Sequence, residues 1–268
     1  MILDDIVANK RLELAARRKE RSLGDVRAAA EHAPAPRNFA AALRASGLSI
    51  IAEVKRRSPA KGALKLNVVP ADQAALYEGA GARAISVLTD ERYFGGRNED
   101  LVTVRERVGL PVLRKDFTID EYHVWEARSI GADAVLLIVG ALDQGQLTAF
   151  RQLAGELGMA ALVEVHTDQE LDRALQAGAA LLGVNNRDLT TMTVDLRTTL
   201  RLRPRVPDGI TFISESGIAA PDDVRMVSSC GIDAILVGEA LMSAGDPAEA
   251  VRRLLDASAV PAPSGSGR

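Results

Sequence analysis

Five short apolar runs of this chain end in charged or amide side chains that a folded core rejects unless they have partners. The runs read IIAEVK, PVLRKDF, ALVEVH, LLGVNN and FISES. Side chains alternate between the faces of a strand, so Glu53 and Lys55 share a face in the first run. The other runs carry Lys115, Glu164, Asn185 and Glu215. Burying even one such group unpaired costs several kcal/mol, so the set predicts an active site rather than a packed core.

A sequence pattern that repeats along the chain indicates how these groups are positioned. A helical, Ala-rich segment leads to a glycine and then to an apolar run, as in GARAISVLT, GADAVLLIV, GAALLGVNN and GIDAILVGE. The glycines, at positions 81, 131, 178 and 231, fall where a helix C-cap is expected. The pattern predicts eight strands, near residues 49–54, 83–88, 111–115, 133–138, 160–165, 179–184, 210–214 and 233–238.

Most of these runs are apolar on both faces, as parallel strands covered by helices must be. Eight strands alternating with segments of helical length predict an α/β fold, a (β/α)8 TIM barrel with extra N-terminal helices. A doubly wound open sheet is the alternative. It is disfavoured because IIAEVKRRSP lacks the glycine-rich first turn with which such sheets bind nucleotides.

In a (β/α)8 barrel, alternate strands fill common layers, and the chemistry lies at the carboxyl ends of the strands. Glu53 and Lys55 belong to the first strand, Lys115 to the third, Glu164 to the fifth and Glu215 to the seventh. We therefore expect these groups to converge above the core. The alternative is a set of structural ion pairs that plugs the barrel mouth. It is disfavoured because buried ion pairs stabilise a fold poorly.

The loops after the last two strands predict a phosphate site. Barrels commonly bind phosphate there with backbone amides and a helix N-terminus. The chain offers ESGI after the seventh strand and GEAL after the eighth. Ser216, Gly217 and Gly238 are small enough to let backbone approach an anion, and Lys55 adds positive charge from the first strand.

Three parts of the chain are predicted: residues 1–47 as a helical extension of the barrel, 48–257 as the barrel, and 258–268 as a disordered tail. In the extension, Leu3, Ile6, Val7 and Leu14 form a helical stripe. The basic run from Lys10 to Arg21 is interpreted as a solvated face. These helices are expected to cover the barrel, and a partner-binding arm is the alternative.

Composition limits the possible functions. The 268 residues are 47% hydrophobic with a net charge of -3, which fits one large soluble domain. Without a basic surplus, and with 3% aromatic residues, no nucleic-acid partner is expected. The lone Cys230 indicates a reducing compartment. No apolar run reaches the roughly 20 residues that span a bilayer, and Asp4 and Asp5 stand where a signal peptide is basic or apolar. We expect a cytoplasmic protein without a membrane partner.

Seven segments together resemble the indole-3-glycerol phosphate synthase family. They are IIAEVKRRSPAKG, SVLTDERYFGG, VLRKDF, LVEVH, GVNNRDL, ISESGI and LVGEALM. The similarity extends from the N-terminal helices to about residue 256. It implies a carboxy-lyase of tryptophan biosynthesis. Such an enzyme converts 1-(2-carboxyphenylamino)-1-deoxyribulose 5-phosphate to indole-3-glycerol phosphate by ring closure, decarboxylation and dehydration.

The resemblance also implies roles for particular residues. Lys115 is expected to be the general acid of ring closure and Glu164 the acid/base of dehydration, with Glu53 and Lys55 assisting. The division of proton transfers between the two lysines stays open. The residues expected to bind the rest of the substrate are Ser58, Phe94, Phe117, Asn185, Arg187 and Glu215. Those expected around its phosphate are Ser216, Gly217, Gly238 and Glu239, with the Glu239 amide rather than its side chain facing the anion.

The implied chemistry needs a strong proton donor but no cofactor. Desolvation lowers the pKa of a lysine such as Lys115, whereas nearby carboxylates raise it, and the sequence does not decide the balance. The iminium formed on ring closure accepts the electrons of decarboxylation, so no electron sink is required. His32, His123 and His166 lack ligand spacing, and no metal is expected. The expected partner is a phosphorylated small molecule, and the expected state is a monomer or weak homodimer.

The same residues bear on three other possible functions. A Schiff-base aldolase would use Lys115 as its nucleophile. A non-catalytic barrel would bind a phosphosugar without turnover, but it has no need for both Lys115 and Glu164. A phosphoribosylanthranilate isomerase relies on a Cys in the first strand and an Asp in the sixth. This chain has Glu53, Lys55 and Asn185 at those places, so that function is disfavoured.

Overall fold

Eight parallel strands close into a barrel, as the repeating sequence pattern predicts. The structure is a computed structural model that describes residues 2–259. The barrel strands are β1 Ser49–Val54, β2 Ala84–Leu88, β3 Val112–Lys115, β4 Ala134–Ile138, β5 Ala160–Val165, β6 Leu181–Asn185, β7 Thr211–Glu215 and β8 Ala234–Val237. Each pairs with its sequence neighbours, and β1 pairs with β8. The open-sheet alternative is therefore wrong, and no predicted strand boundary is off by more than two residues.

Helices alternate with the strands and cover the outside of the barrel. Those of the described residues are α1 Ile2–Glu20, α2 Leu23–His32, α3 Phe39–Leu43, α4 Pro70–Gly79, α5 Glu91–Phe94, α6 Asn98–Arg107, α7 Glu121–Ser129, α8 Gln144–Glu156, α9 Asp168–Gln176, α10 Arg197–Leu202, α11 Pro221–Ser228, α12 Glu239–Met242 and α13 Pro247–Ala259. Short 3-10 turns lie at Val139–Ala141 and Arg203–Arg205, and a small hairpin pairs Arg57–Ser58 with Gly62–Ala63.

The glycines of the repeating sequence pattern lie just after helix ends, as predicted. Gly81 has a φ of 101° and Gly131 a φ of 83°, and Gly178 and Gly231 also adopt the left-handed conformation. A side chain strains this conformation, which is why glycine ends these helices before each strand. The prediction that these four glycines follow helix ends is confirmed.

Two large apolar clusters form the core, and a smaller third cluster joins α1, α2 and α7 through Leu14, Val26 and Tyr122. One large cluster fills the space between strands and outer helices, and the other fills the barrel interior. The interior cluster includes Ile6 of α1 and both Phe39 and Leu43 of α3. The extension therefore packs on its own barrel, with α3 against β1 and β2 and α1 against the turn after β4.

The end of the chain differs slightly from the prediction. Helix α13 continues to Ala259, so the first two residues of the predicted tail are helical. The rest of that tail, residues 260–268, lies outside the described residues. Within residues 2–259, no helix is long and apolar enough to cross a membrane.

Candidate active site

The carboxyl ends of β3, β5 and β7 bring one lysine and two glutamates together. Lys115 Nζ lies 2.9 Å from Glu164 Oε2 and 3.1 Å from Glu215 Oε2. The Lys115 side chain is 13% exposed, and the two glutamates are more deeply buried. The ammonium group is thus held between two carboxyl groups in a site that largely excludes water.

A second ion pair lies at the carboxyl end of β1, which Lys55 directly follows. Lys55 Nζ is 2.8 Å from Glu53 Oε1, and Ser86 Oγ donates to Glu53 Oε2 over 3.4 Å. Gly238 makes room for this pair, because a Cβ there would lie 2.4 Å from Glu53 Oε1 and 3.0 Å from Lys55 Nζ. The sequence predicted Gly238 only as a point of phosphate approach. Its contact with the β1 pair is an additional constraint.

The surrounding charges set the protonation of the mouth. Burial alone lowers the pKa of Lys115, but Glu164, Glu215 and Glu53 outweigh burial and raise it. For Glu53, burial is outweighed by Lys55 and Lys115, so its pKa is lowered. Burial and repulsion from Glu164 outweigh the attraction of Lys115 and raise the pKa of Glu215 to about 8. When Glu215 is protonated, the positive charges of Lys55 and Lys115 balance the negative charges of Glu53 and Glu164.

Gly183 is a site residue that the sequence analysis missed. It lies within β6, beside the Glu215 side chain, and a Cβ at this position would be 2.0 Å from Glu215 Oε1. Only glycine leaves room for the carboxyl group in its present place. The available signal was a glycine inside the apolar run LLGVNN, since a glycine within a strand often marks a close approach.

Polar contacts orient the remaining predicted groups. Asn185 Nδ2 donates to Glu164 Oε1 over 3.1 Å, and its Oδ1 accepts from the Arg187 backbone N–H. Arg187 Nη2 and Ser58 Oγ both donate to Glu239 Oε1, over 3.1 and 3.2 Å. The Glu239 side chain therefore joins the loops after β1, β6 and β8. These partners of Glu239 were not predicted from the sequence.

The turn after β7 has an unusual backbone. Ser216 and Gly217 both have positive φ, of 65° and 83°. Asn186 fixes this turn, because its Nδ2 donates to the carbonyl oxygens of Glu215 and Ser216 over 2.9 and 3.1 Å. A Cβ on Gly217 would lie 2.5 Å from Val194 Cγ1. Glycine thus lets the loop after β6 close against the turn.

One cavity collects every residue that the sequence predicted for the site. Its volume is about 430 Å³, which suits a small organic molecule. Its lining includes Glu53, Lys55, Ser58, Phe94, Lys115, Phe117, Glu164, Asn185, Arg187, Glu215, Ser216, Gly217, Gly238 and Glu239.

One side of the cavity is apolar and aromatic. The ring centroids of Phe94 and Phe117 are 6.3 Å apart, with the rings tilted by 34°. Ile2 and Ile6 of α1 also line the cavity, and the sequence analysis did not predict them as site residues. The cavity therefore combines a flat apolar wall with the ionisable cluster and two glycine-containing loops.

The prediction of a solvated face on α1 is wrong for Lys10. The Lys10 side chain is 3% exposed and lies 2.8 Å from Asp116 Oδ1 and 3.0 Å from Asp90 Oδ2. Lys10 is one helical turn from both Ile6 and Leu14, so it shares their buried face. That spacing was the signal that the reading of the basic run overlooked. Arg17 is also partly buried, against Glu126.

Several known proteins are similar to this chain over nearly its whole length. A family model described as indole-3-glycerol phosphate synthase matches residues 3–254. A protein of that name from Parafrankia sp. (strain EAN1pec) is 50% identical over 260 residues, 97% of each chain. Its namesake from Mycobacterium leprae (strain TN) is 49% identical over 260 residues, 97% of this chain and 96% of that one.

A solved structure supports the fold alone. The 3-hexulose-6-phosphate synthase of Salmonella typhimurium matches with a TM-score of 0.64 at 17% identity, over 79% of this chain and 99% of that chain. The family match, in contrast, spans all eight strands and every lining residue named above except Ile2. This chain therefore belongs to the indole-3-glycerol phosphate synthase family.

Proposed function

We propose that this protein converts 1-(2-carboxyphenylamino)-1-deoxyribulose 5-phosphate to indole-3-glycerol phosphate, with loss of carbon dioxide and water, in tryptophan biosynthesis. The observation that carries the proposal is the Lys115 ammonium group between Glu164 and Glu215, in a cavity with an aromatic wall. Family membership supplies the substrate class. The roles proposed for the residues are those that the resemblance implies.

The cavity offers a place for each part of this substrate. The aromatic ring fits against Phe94 and Phe117, where contact is apolar. The phosphate fits the glycine-containing loops at Gly217 and Gly238, where backbone can approach an anion. Arg187 lines the cavity next to Glu239, which it contacts, and its guanidinium can pair with the substrate carboxylate.

Lys115 is the proton donor in ring closure. The aryl carbon that carries the carboxylate bonds to the carbonyl carbon, and the carbonyl π electrons move to oxygen. That oxygen takes a proton from Lys115 Nζ as negative charge develops, which leaves an iminium in the ring. Glu164, Glu215 and Glu53 raise the pKa of Lys115 against the effect of burial, so the group is protonated when substrate arrives. The same shift makes the ammonium group a weaker acid than the strong donor that the chemistry needs.

Decarboxylation and dehydration follow from the same intermediate. The electrons of the bond to the carboxylate carbon flow into the iminium and restore the aromatic ring, so the step needs no electron-sink cofactor. The neighbouring carbon then gives a proton to the Glu164 carboxylate, and the hydroxyl group leaves as water with a proton from the Lys55 ammonium group. Asn185 and Lys115 hold the two oxygens of Glu164 for this role. Lys55 and Glu53 are close enough to one another to exchange a proton during dehydration.

The environment of Lys115 favours a proton donor over a nucleophile. A Schiff-base aldolase requires a free amine, whereas the carboxyl groups around Lys115 raise its pKa against the effect of burial. Borohydride trapping with a carbonyl substrate separates the two roles. We expect no covalent adduct at Lys115.

We further propose that the protein acts in the cytoplasm as a monomer or weak homodimer, without a metal ion or nucleic-acid partner. The net charge of -3 and the single cysteine support this setting. Sedimentation equilibrium at several protein concentrations tests the oligomeric state. A tight tetramer would contradict it.

The proposed activity is tested with the purified protein and the carboxyphenylamino-deoxyribulose phosphate. We expect indole absorbance and fluorescence to rise, with one carbon dioxide released per indole formed. Binding of the substrate without either product would favour the non-catalytic barrel. Carbon dioxide release without indole would place the protein elsewhere among decarboxylases.

A further inference from the structure

Lys10 lies at the centre of a buried charged group that connects α1 to the ends of β2 and β3. We call Lys10, Glu13, Asp90 and Asp116 the Lys10 cluster. Lys10 Nζ contacts one carboxylate oxygen of each acid, at 2.8 to 3.0 Å. The side chain of Asp90 is 0% exposed and that of Asp116 is 7% exposed. An ammonium group this deeply paired is part of the interior, not of a surface.

Asp116 fixes the turn that carries two site residues. It lies between Lys115 and Phe117, its Oδ1 accepts from the Phe117 backbone N–H over 2.8 Å, and its Oδ2 accepts from Thr89 Oγ1 over 2.6 Å. Burial opposes the charge on Asp116, but Lys10 and Arg114 outweigh burial and lower its pKa. The conformation after β3 therefore depends on a charged Asp116.

Asp90 fixes the segment that carries the other aromatic ring. Its Oδ1 accepts from the Tyr93 backbone N–H over 2.7 Å and so caps α5, which ends at Phe94. Phe94 lies beside Phe117 in the apolar wall of the cavity. Lys10 thus binds the two carboxylates that set the positions of the two rings.

Removing the ammonium group deprives Asp90 of this ion pair and leaves Asp116 with the more distant Arg114, 3.4 Å away. A buried carboxylate that loses its cation moves toward water or takes up a proton. Either change loosens the turn after β3 or the cap of α5. The consequence reaches Lys115 and both rings although Lys10 is not among the residues that line the cavity.

We propose that Lys10 is a positioning residue: it holds Asp90 and Asp116 and thereby sets the direction of Lys115 and the separation of Phe94 from Phe117. This inference rests on the proposed function, in which Lys115 gives the proton and the rings hold the substrate. It makes α1 a working part of the site rather than a cover.

The test compares Lys10→Met with Lys19→Met, which removes an exposed lysine from the same helix. Both are assayed well below their unfolding temperatures. We expect Lys10→Met to lower kcat by about ten- to a hundredfold, the range that a displacement of about 1 Å produces. Inhibition by inorganic phosphate should not change, because its loops follow β7 and β8. Lys19→Met should match the wild type in both measurements.

A purely structural role would lower the unfolding temperature of Lys10→Met and leave kcat unchanged in the folded enzyme, and this result overturns the proposal. If Lys10→Met does not fold, Lys10→Arg and Asp90→Asn take its place. Lys10→Arg keeps the charge but changes its geometry, and Asp90→Asn keeps one ion pair and weakens the cap. Either should lower kcat in the same way, and wild-type kcat in both overturns the proposal.

A binding measurement separates this inference from the proposed reaction. Anthranilate is fluorescent and matches the ring that Phe94 and Phe117 would hold. We expect Lys10→Met to bind anthranilate more weakly than Lys19→Met does, whether or not the wild type turns over the full substrate. Absence of wild-type turnover would count against the proposed function. Equal anthranilate affinity in the two variants would count against Lys10 as a positioning residue.

Discussion

At the scale of single residues, the protonation of Glu215 decides the charge that an incoming anion meets. Burial, with repulsion from Glu164, raises the pKa of Glu215 to about 8 despite the nearby Lys115. Below that pH the carboxyl group is neutral, and the positive and negative side-chain charges at the barrel mouth cancel. Above it, one more negative charge lies beside the place proposed for a substrate that carries both a carboxylate and a phosphate.

This predicts a pH dependence that Glu215→Gln removes. We expect the kcat/KM of the wild type to fall as the pH rises through about 8, because ionised Glu215 repels the substrate. Glutamine resembles the protonated carboxyl group and does not ionise, so the variant should lack this limb. Steady-state kinetics from pH 6 to pH 10 provide the measurement. The same limb in Glu215→Gln would assign it to another group.

A second prediction concerns the glycine beside Glu215. Gly183→Ala places a Cβ where Glu215 Oε1 now lies, so the carboxyl group must move away from Lys115. We expect kcat/KM to fall about ten- to a hundredfold. Gly155→Ala is the matched control, because Gly155 lies in α8 with no atom within 4 Å of its Cβ position. Wild-type activity in Gly183→Ala would show that the position of Glu215 is unimportant.

At the scale of helices and strands, the arrangement of the site follows from rules that the sequence displays. Glycine stops mark the strand starts, and strand-end positions on alternate strands place Lys115, Glu164 and Glu215 in one layer. The contacts of Lys10 could not be predicted from these rules. Its partners Asp90 and Asp116 lie far along the chain, and only the helical spacing from Ile6 indicated burial.

Helix α1 is also held by an acid on α7, and this predicts its behaviour at low pH. Glu126 is 2.7 Å from Arg17 of α1 and 2.5 Å from Arg114 of β3. Burial opposes the charge, but Arg114 and Arg17 outweigh it and lower the pKa of Glu126 to about 2. The stability from these contacts is therefore complete above the ordinary glutamate pKa and is lost as the pH falls toward 2.

We expect Glu126→Gln to lower the unfolding free energy at pH 7 by about 2–4 kcal/mol, from the size of the shift. The difference from wild type should shrink below about pH 4.5, where the wild type begins to protonate. Urea unfolding at several pH values measures both. Glu121→Gln is the control on the same helix, since the Glu121–Arg27 pair is exposed and contributes little. A pH-independent effect of Glu126→Gln would contradict this account.

At the scale of the whole molecule, the N-terminal extension contributes to both ends of the barrel. Arg44, just after α3, donates to Thr211 Oγ1 at the start of β7, and α3 itself packs on β1 and β2. At the opposite end, Ile2 and Ile6 of α1 line the cavity. Sequence patterning predicted the helices and their apolar stripe. It could not show that the stripe reaches the site, because that depends on how α1 lies across the barrel mouth.

The central claim is that the Lys115 ammonium group is the proton donor in a catalytic barrel. The most direct test is the kcat of Lys115→Met, which keeps an apolar stem of similar length and deletes the donor, measured beside Lys19→Met. Inhibition by inorganic phosphate and the circular dichroism spectrum confirm that each variant is folded with its anion loops intact. We predict that kcat falls by about two to four orders of magnitude in Lys115→Met and is unchanged in Lys19→Met. Turnover near the wild-type rate by a folded Lys115→Met enzyme would contradict the account.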